Sequence, residues 1–328
     1  MMGSTDWSQY ACTQYVTTEH YLCNSVMIFE SLARYNSKAD RLLMCPEKWA
    51  TDTELEATTW SLLTKAKEDY GVKLQPVTLQ TLAGEPTWAD SLTKLLALNQ
   101  TQYKRVLSLD SDSTILKPID ELFFLPPTTL AAPRAYWLPN LKDPILSSQL
   151  LLIQPSAVEF NRILNAFDTR LEADCDMEII NHLYNSSALV LPHRPYNLLS
   201  GEFKRQGQDS SVASSIPEAS LPSKVDHAAY LGSSTEIWDP DLVVNEAKYV
   251  HFSDWPIPKP WVFVDEETVE NLMPRCVVLE TRKSVFEGVG DEIMEDCRDR
   301  EIWLGLYADF KRRRKDVCGL GLLGEGDD

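Results

Sequence analysis

The chain has no run of about eighteen apolar residues, the length a membrane-spanning helix needs, so none is expected in its 328 residues. Its opening stretch, MMGSTDWSQY, carries neither a basic n-region nor an apolar h-region, which argues against a signal peptide. Positive charge is scarce. Lysine and arginine number 31 against 49 aspartates and glutamates, a formal charge of −18. A field of that sign repels polyanions, which excludes general nucleic-acid or anionic-membrane binding. An anionic substrate would need a local cationic site or a metal. Cys12, Cys23, Cys45, Cys175, Cys276, Cys297 and Cys318 include no Cys-x-x-Cys spacing. An odd, scattered set of this kind predicts reduced thiols rather than a disulfide scaffold or a zinc site. Internal repeats are absent as well.

What is present reads as one α/β domain with appendages, at an ordinary hydrophobic fraction of 44%. Residues 10–16 form a first apolar strand, and a helix follows with Leu22, Val26, Phe29 and Ala33 on one face. A second strand spans 41–45, and a helix over 53–70 starts from two Thr-x-x-Glu pairs (Thr51 with Glu54, Thr53 with Glu56) and stops at Gly71. A third strand spans 72–77, and a helix over 90–103 groups Leu92, Leu95, Leu96 and Asn99. Strands alternating with helices imply parallel pairing through helical crossovers, a Rossmann-like arrangement. Further strands are expected at 129–134, 147–154, 188–191 and 248–252, with helices at 156–168 and 176–185. The polar stretch 204–226 is read as a surface loop, and 255–261 as a proline-studded loop. The tail from Asp291 predicts a helix with Trp303, Leu306, Tyr307 and Phe310 on one face. It ends in the basic run Lys311-Arg312-Arg313-Arg314-Lys315, either a polyanion patch or a last helical turn whose cations complement the dipole.

Residues 104–120, KRVLSLDSDSTILKPID, organise the rest. Val106, Leu107 and Leu109 make a short buried strand, and its end delivers Asp110 and Asp112 around Ser111. In an extended chain, residues two apart share a face roughly 7 Å apart. Both carboxylates can then turn toward one hard cation such as Mg²⁺ or Mn²⁺. The plainer reading is a solvated turn. Against it stands the position at a strand's carboxyl end, where open α/β sheets place their ligand crevices.

Taken with the motifs around it, the chain resembles glycosyltransferase family 8, the group of glycogenin and the galactinol synthases, in particular its fungal N-acetylglucosaminyltransferase-like branch. YACTQYVTTEHYLCNSVMIFESL resembles the family's first strand and helix, SLTKL a phosphate-reaching lysine helix, and LDSDS the Asp-x-Asp metal motif. APR at 132–134 resembles the segment beyond, and HFSDWPIPKPW the closing His-x-x-Gly-x-x-Lys-Pro-Trp motif. The resemblance implies a single nucleotide-sugar-binding domain of GT-A type over 8–262, with a mostly parallel sheet. A helical extension over 263–328 packs on or beside it. Asp110, Asp112 and His251 would hold Mn²⁺ or Mg²⁺. Thr13 and Tyr21 would lie near the nucleotide base, with Lys94, Ser111 and Lys259 at the phosphates. Asp176, Asp174 and Gln149 would face the sugar.

The implied activity is metal-dependent, retaining transfer of a sugar from UDP-GlcNAc, UDP-glucose or UDP-galactose to a hydroxyl of a glycan or small polyol. A homodimer is compatible with it. Departures are plain: Ser147-Ser148-Gln149 replaces Asn-Ser-Gly, Asp176-Met177 replaces Asp-Gln, and the closing loop lacks its glycine and runs longer. Two rival readings remain open. LSLDSDST matches the outline of haloacid-dehalogenase-like phosphohydrolases, with Asp110 as nucleophile; the third reading is a non-catalytic nucleotide-sugar-binding protein. The expected compartment is cytoplasmic by sequence, or, if an N-terminal anchor is missing here, the Golgi lumen, where the resemblance places the fungal relatives as type II membrane proteins.

Overall fold

Apolar strands buried on both faces build the centre of the molecule. In the computed structural model, β1 (Tyr10–Tyr15), β2 (Asp40–Pro46) and β4 (Arg105–Leu109) are buried along most of their length, and β3 (Val72–Val77) forms the edge. The structure describes residues 5–51, 55–78, 91–138, 144–171, 174–204, 227–282 and 292–325. β5 (Ser113–Ile115) leaves the main sheet, while β6 (Leu130–Pro133), β7 (Leu150–Ile153) and β8 (Leu189–Leu191) extend it. The order is β3-β2-β1-β4-β7-β6-β8, with only β7 antiparallel to its neighbours. The protein is therefore α/β with a mostly parallel seven-stranded sheet, as the alternation predicts.

A second, small sheet sits at the carboxyl ends of these strands. β9 (Leu198–Leu199) pairs parallel with β10 (Tyr249–His251), which runs antiparallel to β5 with Ser113 opposite His251. β11 (Val277–Arg282) and β12 (Glu292–Asp296) form a hairpin that the sequence reading did not anticipate.

Several expectations need correction. The predicted helix over 90–103 is a 3₁₀ segment, Ser91–Asn99, in the described residues. Leu95, Leu96, Ala97 and Leu98 are all buried, so the segment packs all round instead of on one face. The helix expected from residue 53 starts later, as Ala57–Tyr70 after a separate short helix Glu47–Thr51, and residues 52–54 of its capping pairs lie outside the described residues. Residues 205–226 of the expected surface loop also lie outside them. The cysteines are not all thiols. Cys23 is bonded to Cys318 across 295 residues, and Cys276 to Cys297 across the hairpin. The first pair joins the helix Glu19–Arg34 to the tail helix Arg298–Cys318, which pack side by side, a proximity no spacing along the sequence reveals.

The basic run is likewise not a solvated patch throughout. Arg313 and Arg314 are buried. The Arg313 guanidinium donates to Met27 O, Glu30 Oε2 and Ser31 Oγ at 2.6 Å each and to Thr114 Oγ1 at 3.1 Å, joining the tail to the first helix and to β5. Arg312, in contrast, is exposed and pairs within its own helix. Removing one partner of a buried ion pair strands the other. Arg313→Met should therefore lower stability by about 3–5 kcal/mol, while Arg312→Ala leaves the urea midpoint unmoved; equilibrium unfolding of both variants checks this.

Candidate active site

The site grows from the end of β4. Asp110 N–H still donates to Gln149 O at 3.0 Å, a last rung beyond the Leu109–Leu150 pair, and the chain then bends away into β5. Because β5 pairs with β10, that bend carries Asp112 against the end of β10, where Phe252 N–H donates to Asp112 O at 2.9 Å. His251 Nε2 lies 3.0 Å from Asp112 Oδ1 and 3.8 Å from Asp110 Oδ2. Asp110, Asp112 and His251 each offer one ligand atom, all within 4.8 Å of one another. Two carboxylates and an imidazole form a donor set that fits Mn²⁺ or Mg²⁺.

Cations already surround these carboxylates. Lys94 is buried, with Nζ 2.6 Å from Asp110 Oδ1 and 2.8 Å from Asp176 Oδ2, and it also donates to Ser148 O at 3.2 Å. Asp176 opens the helix Asp176–Tyr184. Lys259 Nζ donates to Asp112 Oδ2 and to Phe252 O at 2.6 Å each, closing the loop that begins at His251. Both lysines thus stand at the acidic cluster, each engaged by carboxylates of this chain.

Electrostatics split the two aspartates. Burial pushes the Asp110 carboxyl up to about 6, against the pull of Lys94, and the neighbouring Asp112 charge adds to the push. Burial alone would raise Asp112 too, yet His251 and Lys259 hold it well below the usual carboxylate range. Lys94 loses solvation, but Asp110 and Asp176 more than compensate and raise its pKa well above that of an ordinary lysine.

The other expected residues are more dispersed. Ser111 is half-buried at the bend between the two aspartates. The Gln149 side chain is half-buried, with Oε1 lacking a hydrogen-bond partner, while its carbonyl accepts from Asp110. Tyr21 is 37% exposed and meets Trp261 of the closing motif edge-on, ring centroids 5.6 Å apart. Thr13 is fully buried within β1, its hydroxyl without a partner, and does not join the cluster. Asp174 stays local, accepting from Leu171 N at 2.9 Å.

Three residues with no chemical motif of their own also shape the site. Gln14 donates to Leu109 O at 2.7 Å and accepts from Ser25 Oγ at 3.1 Å, tying β1, β4 and the first helix together at the strand ends. Tyr15, next along β1, lies in the field of Lys94, Asp110 and Asp176; burial first, then the carboxylates, raise its phenol. Tyr249 reaches the backbone of Asp110 and Gln149. Its only sequence signal is its place two residues before His251.

No protein-family model matches the chain. It is 49% identical over 318 residues to glucose N-acetyltransferase 1 of Gibberella zeae, covering 95% of this chain and 63% of that protein. With the Aspergillus fumigatus protein of the same name it is 43% identical over 336 residues, covering 96% and 78%. The chain belongs to the glucose N-acetyltransferase 1 family. It spans under two thirds of the Gibberella relative's length. A shorter match, 31% identical over 125 residues, covers 37% of this chain and 36% of glycogenin-1 of Oryctolagus cuniculus. Among solved structures, the glycosyltransferase GlyE of Streptococcus pneumoniae superposes with a TM-score of 0.52 at 16% identity, over 95% of this chain and 63% of that one. The fold is that of the GT-A glycosyltransferases, and the fungal branch of family 8 expected from the motifs is the one its relatives occupy.

Protons and cations compete for Asp110. Because its carboxyl titrates near 6 instead of in the usual carboxylate range, Mn²⁺ affinity should be flat above neutral pH. Below about pH 6 it should fall by at least roughly tenfold per unit, because Asp110 must shed its proton and the His251 imidazole must be neutral to ligate the ion. Calorimetric titrations from pH 5 to pH 8 measure this directly.

Proposed function

We propose that the protein is a metal-dependent glycosyltransferase that moves a sugar from a UDP-sugar to an acceptor hydroxyl. The observation that carries this is the convergence of Asp110, Asp112 and His251 at a strand end, with Lys94 and Lys259 beside them. When bound, a divalent ion would act as a Lewis acid on the diphosphate, a contribution of several kcal/mol. Asp110, Asp112 and His251 would hold it. Lys94 and Lys259 would exchange a carboxylate for diphosphate oxygens and stabilise the charge that develops as the glycosidic bond breaks. Tyr21 beside Trp261 would border the base. Among UDP-GlcNAc, UDP-glucose and UDP-galactose, the relatives' name, which joins glucose and an N-acetyl group, favours UDP-GlcNAc. Among the described residues no helix is long and apolar enough to cross a membrane.

Screening hydrolysis of these three UDP-sugars with Mn²⁺ tests the reading. We expect UDP release with at least one donor, abolished by EDTA and reduced at least a hundredfold in Asp112→Asn, which keeps the shape but loses an anionic ligand. Full activity in EDTA would remove the metal from the mechanism.

The reaction should retain the donor's anomeric configuration. Retention through a covalent intermediate needs a nucleophile behind the anomeric carbon. Asp176 is engaged by Lys94, and Met177 offers no carboxamide or carboxylate. Front-face substitution therefore fits better, with the departing diphosphate taking the acceptor proton and Asp176 holding sugar hydroxyls. An α-linked donor should give an α-glycoside by NMR, Asp176→Asn should slow turnover without trapping an adduct, and Met177→Leu should be near silent. A covalent sugar on a residue near Asp176, seen by mass spectrometry, would refute front-face attack.

A further inference from the structure

On a β-strand, residues two apart project to the same face. β10 therefore presents Tyr249 and His251 together, with Val250 turned into the core between them. His251 reaches the carboxylates of the acidic motif. Tyr249 reaches the backbone that carries the first of them. Its hydroxyl accepts from Asp110 N at 3.1 Å and is placed to donate to Gln149 O at 3.0 Å or Asp110 O at 3.3 Å. Asp110 N–H is shared with Gln149 O at 3.0 Å, and Asp110 O also accepts from Ser113 Oγ at 2.5 Å. Both peptide groups of Asp110 are thus fixed, and among the described residues the phenol is the one group within hydrogen-bond distance of both.

We propose that the Tyr249 hydroxyl is a positioning group that sets the spacing between the Asp110 carboxylate and the His251 imidazole, and so the affinity of the site for a divalent ion. The inference rests on reading Asp110, Asp112 and His251 as an ion site. A phenol has one proton to donate and lone pairs to accept with, so it accepts from Asp110 N–H while donating to Gln149 O or Asp110 O, tying the end of β4 to its neighbour as no apolar ring can do. It does so at the point where β4 stops pairing and the chain is otherwise free to swing. Because the same strand face carries His251, any shift of β10 moves the clamp and the ligand together. The distance between ligands is therefore preserved while the small sheet as a whole adjusts.

The test compares two phenols that bond to backbone. Tyr249→Phe keeps the buried ring and loses only the hydroxyl. Tyr35→Phe is the control: its hydroxyl donates to Leu116 O at 2.5 Å, just past β5 and outside the acidic cluster. Free Mn²⁺ is followed by paramagnetic resonance with UDP present, and thermal midpoints are recorded on the metal-free proteins. Both variants should lose a few degrees. Only Tyr249→Phe should weaken Mn²⁺ binding, by roughly 10–100-fold, the range expected when a group orienting a metal ligand is removed. Its affinity for uridine, which carries no phosphate, should not move. Unchanged Mn²⁺ affinity in Tyr249→Phe overturns the proposal, and so does an equal loss in both variants, which would mark a general loosening. A wild-type protein that binds no Mn²⁺ with UDP would instead defeat the reading of the site itself, and that result precedes any variant.

Discussion

Three carboxylates gathered at the end of one sheet must be matched by positive charge or they will not stay ionised. Here Lys94 bridges Asp110 and Asp176, while His251 and Lys259 flank Asp112. Burial makes the contacts of Lys94 stronger than they would be in water, and it makes any unmatched charge there correspondingly expensive, whereas Lys259 is 41% exposed. The result is a site whose own cations hold the positions that a bound ion and a diphosphate would otherwise neutralise. The overall charge of −18 sharpens the point. Against a net charge of that sign, any anionic ligand of this site would depend on local cations such as Lys94 and Lys259.

Keeping this balance in place is the work of structure well away from it. The small sheet of β5, β10 and β9 carries Asp112 and His251 toward each other, and the tail helix braces that sheet from behind. Arg313 reaches Thr114 on β5, and Trp303 Nε1 and Tyr307 Oη both donate to Asp254 in the loop between His251 and Lys259. Lys204 adds an ion pair to Asp254 at 2.9 Å. Gly201 sits so close to this loop that a Cβ would come within 2.7 Å of Ser253 O, so the approach itself requires glycine.

How much of this could be read from the residues alone depends on range. Strands β1 to β4 and the helices Glu19–Arg34 and Ala57–Tyr70 follow from hydrophobic periodicity, a local property, whereas the segment before β4 is 3₁₀ and buried all round, which periodicity does not show. The acidic motif stands out because it follows directly on an apolar strand. Lys94 and Asp176 are 82 residues apart, and nothing in either neighbourhood says that one will neutralise the other. The basic run does fall in the last turns of a helix, but which of its cations turns inward is not local information: the fold carries Arg313 to Glu30 and leaves Arg312 outside. The disulfide between Cys23 and Cys318 escaped notice for the same reason, since a pairing across 295 residues leaves no spacing to recognise. Tyr249 carries no motif, and its role appears only once Asp110 has been brought to its hydroxyl.

The Arg313 clamp also bears on how the chain acquires its structure during synthesis. Ser31 Oγ and the Arg313 guanidinium are separated by 282 residues. At ribosomal rates of 5–20 residues per second, the first helix waits about 14–56 s for that partner to emerge. Over that interval Glu30 and Ser31 lack the cation that will bury them, and the face of the helix destined for the tail stays wet. The parallel sheet can assemble from its own local units in the meantime. The bracing that Arg313 gives β5 follows the strands of the sheet, so the arrangement of Asp112 and His251 gains that support only after the sheet has been translated.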